Sequence, residues 1–382
     1  MQVETLQYTV ENGWSTPTFP DMDSENTLLF VFCAPEFFKD QAQIKLLAKQ
    51  YPKSKMIGCS TAGEIYGPSV LDNSISVAIA KFEKTQLKLI TSTLENGKDS
   101  FQVGEEISKN LNDKNLSGIF VLSEGLKING SELVKGLNAI DKKDTVITGG
   151  LAGDGANFKE TFVIENGQVR HGNVVAVGFY GDQIRIGHGS KGGWDIFGVE
   201  RRITRSTNNI LYELDGKPAL ELYKQYLGEK AKDLPASGLL FPLSIRKDAT
   251  DQTRLVRTIL SVDEKAGSLI FAGDMPQGYL AQLMRANFDR LITGAKEASD
   301  LLVISGKMQK DLTTLVVAVS CVGRKLLLGQ RIEEETNSAI ETFPKSAQMV
   351  GFYSYGEISP YATGNCDLHN QTMTLTSFSE EM

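Results

Sequence analysis

Two similar stretches, MIGCSTAGEI at 56–65 and MVGFYSYGEI at 349–358, carry the pattern that decides the fold. Both begin with Met, an apolar residue and Gly, and both end in Gly-Glu-Ile. Each follows an apolar segment typical of a buried strand, LLFVFC at 28–33 or LVVAVSC at 315–321, and then a helix-like segment. The helix-like segments cover 36–51 and 331–342. This shared order at the two ends of the chain indicates an internal repeat.

A third copy of the repeat lies between these two. IFVLSE at 119–124 predicts a strand, 129–140 predicts a helix, and VITGGLAGDG at 146–155 predicts a second strand with its loop. In each copy the loop contains Gly followed by an acid, and these pairs are Gly63-Glu64, Gly153-Asp154 and Gly356-Glu357. A further pair, Gly273-Asp274 in FAGDMPQG, follows no clear helix.

The repeated glycine loops are candidates for a ligand pocket. Strand–helix–strand units predict parallel strands joined by right-handed crossovers. In such sheets ligands bind beyond the carboxyl ends of the strands, which is where these loops would lie. The alternative is that Gly only ends the strand and the acid caps the next element. Both interpretations stay open at the level of sequence.

The middle of the chain has a different pattern. Residues 161–190 alternate around Asn166-Gly167, which predicts an antiparallel hairpin. Helices are predicted at 217–228 and 278–300, and the second carries apolar residues near helical spacing. Its pattern residues are Leu280, Leu283, Met284, Asn287, Leu291 and Ala295. The fold class is therefore predicted as α/β, with mixed sheets built from duplicated β-α-β units, inserted antiparallel hairpins and two subdomains.

Composition excludes several classes of protein. The 382 residues carry a net charge of −7, which disfavours a nucleic-acid-binding protein because phosphate neutralisation needs a basic face. The first residues, MQVETLQYTVENG, do not resemble a secretory signal, and the apolar runs at 28–35 and 315–322 are too short for membrane insertion. The cysteines lie far apart without a CxxC pair, which favours a reducing cytoplasm. They are Cys33, Cys59, Cys321 and Cys366.

Several motifs together resemble the FIST N and FIST C domains. They are GCSTAGEI (58–65), GGLAGDG (149–155), LDGKPALELYKQYLG (214–228), FAGDMPQG (271–278), SCVGRKLLLGQRIEEE (320–335), GFYSYGEI (351–358) and LHNQTMTL (368–375). The motifs cover nearly the whole chain in the order of the family. The resemblance predicts an N-terminal segment at 1–26, a FIST N domain at 27–205 and a FIST C domain at 206–382.

The FIST resemblance implies a bacterial, cytoplasmic signal-transduction protein that binds a small ligand. No output domain is expected in this chain, an arrangement similar to the stand-alone NosP-type members of the family. Those members are haem proteins that sense nitric oxide and regulate a partner histidine kinase. The implied partners are therefore a small-molecule or gaseous ligand and a histidine kinase or other signalling protein. Association of identical chains stays open.

A haem group would need an axial ligand, most often a neutral histidine in an apolar cleft. His188 is the first candidate, because glycines and two aromatic residues flank it. These neighbours are Gly187, Gly189, Gly192, Gly193, Trp194 and Phe197. His369, in a predicted strand, is the second candidate and has an alternative role as a hydrogen-bonded structural residue. His171, expected to be exposed in the hairpin, is the third.

Two other functions compete with haem binding. A haem-free pocket for an amino acid or similar polar metabolite would use hydroxyls, acids and N–H groups of the glycine loops. Its predicted ligand residues are Cys59, Ser60, Thr61, Gly63, Glu64, Gly153, Asp154, Tyr353, Ser354 and Glu357. The alternative is that these side chains satisfy loop backbone groups. An enzyme using Cys59 as a nucleophile is less favoured, because no paired histidine is identifiable, so the protein is expected to be a binding protein.

Overall fold

The computed structural model describes residues 1–94, 99–140, 145–252, 254–304, 311–360 and 365–381 and contains both helices and strands. The predicted C-terminal domain, 206–382, includes positions 305–310 and 361–364, which lie outside these ranges. The α-helices are α1 (Ala42–Gln50), α2 (Ser100–Leu111), α3 (Gly130–Leu137), α4 (Ala219–Leu227), α5 (Phe288–Ile304), α6 (Val322–Leu328) and α7 (Ile332–Ile340). Turns of 3-10 helix cover Pro35–Phe38, Gly228–Asp233, Ala236–Leu240 and Gly329–Arg331.

Among the described residues, fourteen strands precede Trp194 along the chain and fourteen begin at or after it. The first group is β1 (Gln2–Thr9), β2 (Gly13–Trp14), β3 (Thr27–Cys33), β4 (Lys55–Ser60), β5 (Glu64–Tyr66), β6 (Ser69–Leu71), β7 (Ser74–Lys81), β8 (Gln86–Thr93), β9 (Leu116–Ser123), β10 (Val146–Leu151), β11 (Val163–Glu165), β12 (Gln168–Arg170), β13 (Asn173–Tyr180) and β14 (Ile184–Lys191). The second is β15 (Trp194–Ile196), β16 (Arg201–Thr207), β17 (Ile210–Leu214), β18 (Lys217–Pro218), β19 (Leu243–Arg246), β20 (Leu255–Arg257), β21 (Ile259–Asp263), β22 (Ser268–Phe271), β23 (Leu280–Ala286), β24 (Thr314–Cys321), β25 (Ala347–Ser354), β26 (Gly356–Pro360), β27 (Cys366–His369) and β28 (Met373–Glu380).

Three sheets of the same design form the core. Each centres on a parallel pair, which is β3–β4, β9–β10 or β24–β25. The first strand of each pair also pairs antiparallel with a later strand, β7, β13 or β28. The second strand pairs with a short strand from a different copy of the repeat, β11, β26 or β5. The three copies therefore exchange strands cyclically, and the prediction that 56–65 and 349–358 occupy equivalent places is confirmed.

The repeated glycine near the start of each motif has a steric cause. Gly58, Gly149 and Gly351 lie on the second strand of the three parallel pairs. A Cβ atom on these residues would lie 2.1, 1.8 and 1.9 Å from a carbonyl oxygen of the facing strand. Any side chain would force the paired strands apart. The glycine of the shared Met-apolar-Gly opening is therefore required by the close approach of the two paired strands.

The core lies where the three sheets meet and is rich in aromatic rings. Phe30 packs edge-on against Phe120 at 5.2 Å between ring centroids, and Phe32 stacks on Phe352 at 4.7 Å. Phe378 contacts both Phe30 and Phe120. These residues come from β3, β9, β25 and β28, so the three sheets share one apolar core.

A second structural unit, 194–286, is inserted between the second and third copies of the repeat. It contains strands β15–β23 and helix α4, which confirms the predicted helix at 217–228. The predicted helix at 278–300 is wrong over its first part, where β23 pairs with β15, β16 and β19, and is correct from Phe288 onward as α5. The helical spacing at 280–286 is overridden by strand partners distant in sequence. The hairpin at Asn166-Gly167 is confirmed, because both residues have positive φ between β11 and β12.

The start of the inserted unit is attached to the core by buried polar contacts. The Arg324 side chain is fully buried and donates from Nη2 to the Leu291 carbonyl at 2.7 Å and from Nη1 to the Gly192 carbonyl. Its Nε donates to Glu335 at 2.6 Å, so the buried charge is paired. Trp194 donates from Nε1 to the Gln371 carbonyl at 3.0 Å. Helix α6 thereby holds the segment where the inserted unit begins.

No helix among the described residues is long and apolar enough to cross a membrane. All four cysteines are buried free thiols.

Candidate functional site

The three glycine loops meet inside the protein and pack against one another, and the ligand residues predicted in them line neither of the two cavities described below. Backbone hydrogen bonds join them in a ring: Ala62 N–H to Tyr353 O at 2.8 Å, Gly153 N–H to Ser60 O at 3.0 Å and Tyr355 N–H to Leu151 O at 3.2 Å. Each loop lies beyond the carboxyl end of its strand, as predicted. The close packing leaves the polar side chains turned inward.

Two of the repeated acids bridge their loop to the strand that follows. Glu64 accepts hydrogen bonds from the N–H of Ser74 at 3.0 Å and from its hydroxyl at 2.7 Å. Glu357 makes the equivalent contacts with Thr372, at 3.1 and 2.9 Å, and also accepts from Ser354 at 2.7 Å. Burial raises the pKa of Glu64 to about 7 and that of Glu357 to about 8, against these hydrogen bonds, which lower it.

The third acid, Asp154, organises its own loop. Its carboxylate accepts from the backbone N–H groups of Phe158 at 2.8 Å, Lys159 at 2.8 Å and Glu160 at 2.9 Å. It also accepts a hydrogen bond from the Tyr355 hydroxyl. Both carboxylate oxygens of Asp154 therefore accept hydrogen bonds from groups of the protein itself.

The loop residues predicted to bind a ligand lie buried in the packing of the three loops. They are Cys59, Ser60, Thr61, Gly63, Glu64, Gly153, Asp154, Tyr353, Ser354 and Glu357, and none of them lines the cleft described next. Their side chains are buried and form internal hydrogen bonds or pack in the core. Burial raises the pKa of the Cys59 thiol well above its ordinary value, which disfavours the nucleophilic thiolate. The alternative that these side chains satisfy loop backbone groups agrees with the geometry.

A cleft of about 490 Å³ brings together two histidines that are far apart in the sequence. His188 lies on β14 and His369 ends β27, and both line the cleft. The inserted unit contributes Arg254 and Val256, so the cleft lies between this unit and the core. Lys191 adds a second basic side chain, and the apolar wall consists of Val146, Ile186, Val256, Leu301 and Pro360. We call this the histidine cleft.

The two histidines differ in what they can do. His369 is buried, and its Nε2 lies 3.1 Å from the Ser359 carbonyl, so this nitrogen carries the proton that the carbonyl accepts. Burial lowers the pKa of His369, which keeps the ring neutral. His188 is half-buried. The predicted structural role of His369 thus agrees with its contacts, although it also lines the cleft.

The neighbours of His188 have a different role from the one predicted. Gly189 lets α5 approach, because a Cβ atom on it would lie 2.1 Å from the Ala298 carbonyl oxygen. Trp194 does not line the histidine cleft and packs instead with Met284, Leu291 and Leu328, while Phe197 is exposed on the inserted unit. The flat apolar surface expected from these two aromatic residues is therefore absent from the cleft.

The third histidine lies elsewhere. His171 Nδ1 is 2.9 Å from the Thr161 carbonyl, and its ring packs edge-on against Phe38 at 4.5 Å. It is half-buried rather than exposed as expected.

One buried amide beside the cleft lacks hydrogen bonds. Asn370 lies between His369 and Thr372, which both line the cleft, and only 1% of it is exposed. Neither its amide nitrogen nor its oxygen has a hydrogen-bond partner among the residues that the structure describes. A buried amide without partners is costly, so a polar group held nearby would stabilise it.

Sequence reasoning missed Lys191, Arg254 and Asn370 as candidate site residues. Arg254 comes from the inserted unit, and no local pattern indicates which part of the core that unit faces. Asn370 belongs to the motif LHNQTMTL, where it directly follows the candidate ligand His369.

Comparison with models of protein families identifies the family of the chain. The FIST N domain model matches residues 27–217, and the FIST C domain model matches residues 219–360. The chain belongs to the FIST family. FIST domains are associated with signal transduction and the sensing of small ligands. Neither domain match distinguishes FIST proteins that bind haem from FIST proteins that bind other ligands.

Two individual likenesses add little to the FIST assignment. An uncharacterized protein, MJ1623 of Methanocaldococcus jannaschii, is 22% identical over 355 residues, which are 81% of this chain. The match covers only 65% of that relative's length. A solved structure of cyanuric acid hydrolase from A. caulinodans aligns with 78% of this chain and all of its own at 11% identity. Its TM-score of 0.19 is too low to support any argument.

Proposed function

We propose that this FIST protein is a sensor that binds a small ligand in the histidine cleft and reports it to a partner signalling protein, such as a histidine kinase. The observation that supports this is the meeting of His188 and His369 in one cleft at the boundary of the core and the inserted unit. Its volume of about 490 Å³ is within the usual range for ligand pockets. A ligand between two structural units can alter how they pack, which a partner can detect.

The residues of the cleft fit a haem group. His188 offers an imidazole as axial ligand, and the apolar wall offers contact to a macrocycle. Lys191 offers positive charge to the haem propionates, and so does Arg254, whose Nη2 also lies 3.4 Å from a Glu200 carboxylate oxygen. Bound haem supplies an iron atom that binds nitric oxide. His369 is the weaker candidate ligand, because its ring is buried and its Nε2 is held by the Ser359 carbonyl, so that only Nδ1 could bind iron.

The proposal is tested by adding haemin to the purified protein and recording the visible absorption spectrum. A saturable Soret band at one haem per chain, which shifts when nitric oxide is added to the reduced protein, supports a haem-based gas sensor. Free-haemin absorbance alone, with no saturation, contradicts haem binding.

A second candidate function is a haem-free sensor of an anionic polar metabolite. The basic side chains of Lys191 and Arg254 and the unpartnered amide of Asn370 favour it. Saturable thermal stabilisation by one member of a panel of amino acids and carboxylates, in the absence of a Soret band, would support this function.

We propose a binding role rather than catalysis. The buried Cys59 thiol, with its raised pKa, offers no activated nucleophile to support the enzyme hypothesis. Turnover of a substrate would contradict this part of the proposal.

A further inference from the structure

A second cavity, of about 200 Å³, lies where three of the family motifs meet. Leu151 comes from GGLAGDG, Tyr355 from GFYSYGEI and Phe271 from FAGDMPQG. The cavity shares no residue with the histidine cleft. We call it the aromatic cavity. The proposed function uses none of these three motifs.

A stacked pair of aromatic rings forms one wall of the aromatic cavity. Phe158 and Tyr355 lie 4.6 Å apart between centroids, with their planes inclined by 14°. Tyr355 is buried, whereas 42% of Phe158 is exposed. Together with Leu126 and Leu260, which are also partly exposed around the cavity, this ring forms a local apolar surface that a ligand can cover.

The backbone is strained to place that ring. Phe158 has a φ of 52°, a left-handed conformation that is an outlier for a bulky residue. Asp154 holds it there by accepting hydrogen bonds from Phe158 N–H and from the next two N–H groups. The Tyr355 hydroxyl donates to the same carboxylate, so one acid fixes both rings of the stack. Strained residues of this kind occur at ligand clamps.

The rest of the lining indicates the chemistry of the occupant. Leu126 and Leu260 are 37% and 42% exposed and lie with Phe158 around the cavity. Asn209 donates from Nδ2 to the Phe271 carbonyl at 2.8 Å, and its Oδ1 accepts no hydrogen bond from the residues that the structure describes. The Asn129 amide oxygen accepts from the N–H groups of Ser131 and Glu132, and its amide nitrogen donates to Asp274. The cavity thus offers apolar surface, an aromatic face and the amide oxygen of Asn209 as an acceptor, and Lys127 is the basic residue of its lining.

We propose that the aromatic cavity binds a small, uncharged aromatic compound that carries an N–H or O–H group, of the size of indole or a phenol. Its volume exceeds the roughly 150 Å³ of an apolar protein cavity that accommodates benzene. The ring of the ligand stacks on the Phe158–Tyr355 pair, and its polar hydrogen is donated to Asn209 Oδ1. This site is separate from the histidine cleft and does not depend on the proposed function.

Indole is the probe for the test, and its binding to the full chain is measured by isothermal titration calorimetry. The wild type is expected to bind indole saturably, and Phe158→Ala is expected to weaken the affinity by about fivefold or more through loss of stacking. Phe101→Ala is the matched control, because Phe101 is 37% exposed on α2 and does not line the cavity. It is expected to leave indole affinity unchanged. Phe158→Leu, which keeps apolar contact, replaces Phe158→Ala if thermal melting shows that the alanine variant is unfolded.

Cyclohexanol separates aromatic recognition from simple apolar burial. It is expected to bind more weakly than indole, because it has no aromatic face to stack. Absence of saturable indole binding to the wild type would overturn the proposal. So would indole affinity that Phe158→Ala leaves unchanged, or cyclohexanol binding as tight as that of indole.

Discussion

For the single residue Glu357, the sequence predicts the equivalence with Glu64 but not the direction of the side chain. The recurrence of Gly-acid pairs marks Glu64 and Glu357 as equivalent, and their matching contacts with Ser74 and Thr372 confirm the equivalence. The direction of the carboxylates cannot be predicted from the repeat, because a loop acid at a strand end has the same sequence whether it faces a ligand or its own backbone. In the fold, the packing of the three loops directs both carboxylates toward groups of the protein itself.

The raised pKa of Glu357 makes stability depend on pH. The folded state holds the proton more tightly than the unfolded state, whose pKa is near 4.5. The stabilisation from the protonated form is therefore complete below about pH 4.5 and is lost as the pH rises through about 8. Glu357→Gln cannot ionise at this position. The loss of folding stability that ionisation of Glu357 causes as the pH rises is therefore expected to be absent from the variant.

Urea unfolding at pH 6 and pH 8.5 measures the effect of Glu357→Gln. The wild type is expected to lose on the order of 2 kcal/mol more of its free energy of unfolding between these pH values than the variant does. Glu64 and the other titrating groups contribute equally to both proteins. Equal losses in the two proteins would show that Glu357 does not titrate in this range.

At the scale of elements, the repeat predicted the parallel pairs because each copy contains a long apolar strand and a close-approach glycine. Helices α1, α3 and α7 are shorter than predicted, and a separate turn of 3-10 helix at Pro35–Phe38 occupies the first part of the segment predicted for α1. The helix predicted over 278–300 failed at β23, whose spacing fits a helix but whose backbone hydrogen bonds go to β15, β16 and β19. Pairing between distant segments has no local signature.

Gly351→Ala tests the close approach of the paired strands. The added Cβ would lie 1.9 Å from the Ala318 carbonyl oxygen, so β24 and β25 must separate. The free energy of unfolding is expected to fall by about 2–3 kcal/mol, measured by urea denaturation. Gly238→Ala is the control, because its added Cβ would come no closer than 3.2 Å to a neighbouring atom, and a much smaller loss is expected. A loss no larger for Gly351→Ala than for Gly238→Ala would contradict the steric account.

At the scale of the whole molecule, the three copies and their equivalence could be inferred from the sequence, whereas the histidine cleft could not. His188 and His369 were identified as separate candidates, and only the fold shows that they line one cleft. The cleft exists because the inserted unit, through Arg254 and Val256, covers part of the core. Where this unit faces is set by tertiary contacts such as those of Arg324 and Trp194.

Haem titration of two histidine variants tests most directly the claim that the histidine cleft is the sensory site. His188→Ala is expected to weaken haem binding by at least about tenfold and leave the protein folded, because the iron loses its protein ligand and a half-buried residue leaves little cavity. His369→Ala is expected to keep the Soret band and to lower the melting temperature, because a buried ring and its bond to Ser359 are lost. Loss of haem from His369→Ala and its retention by His188→Ala would invert the assignment of the ligand. Normal spectra in both variants would contradict haem ligation in the histidine cleft.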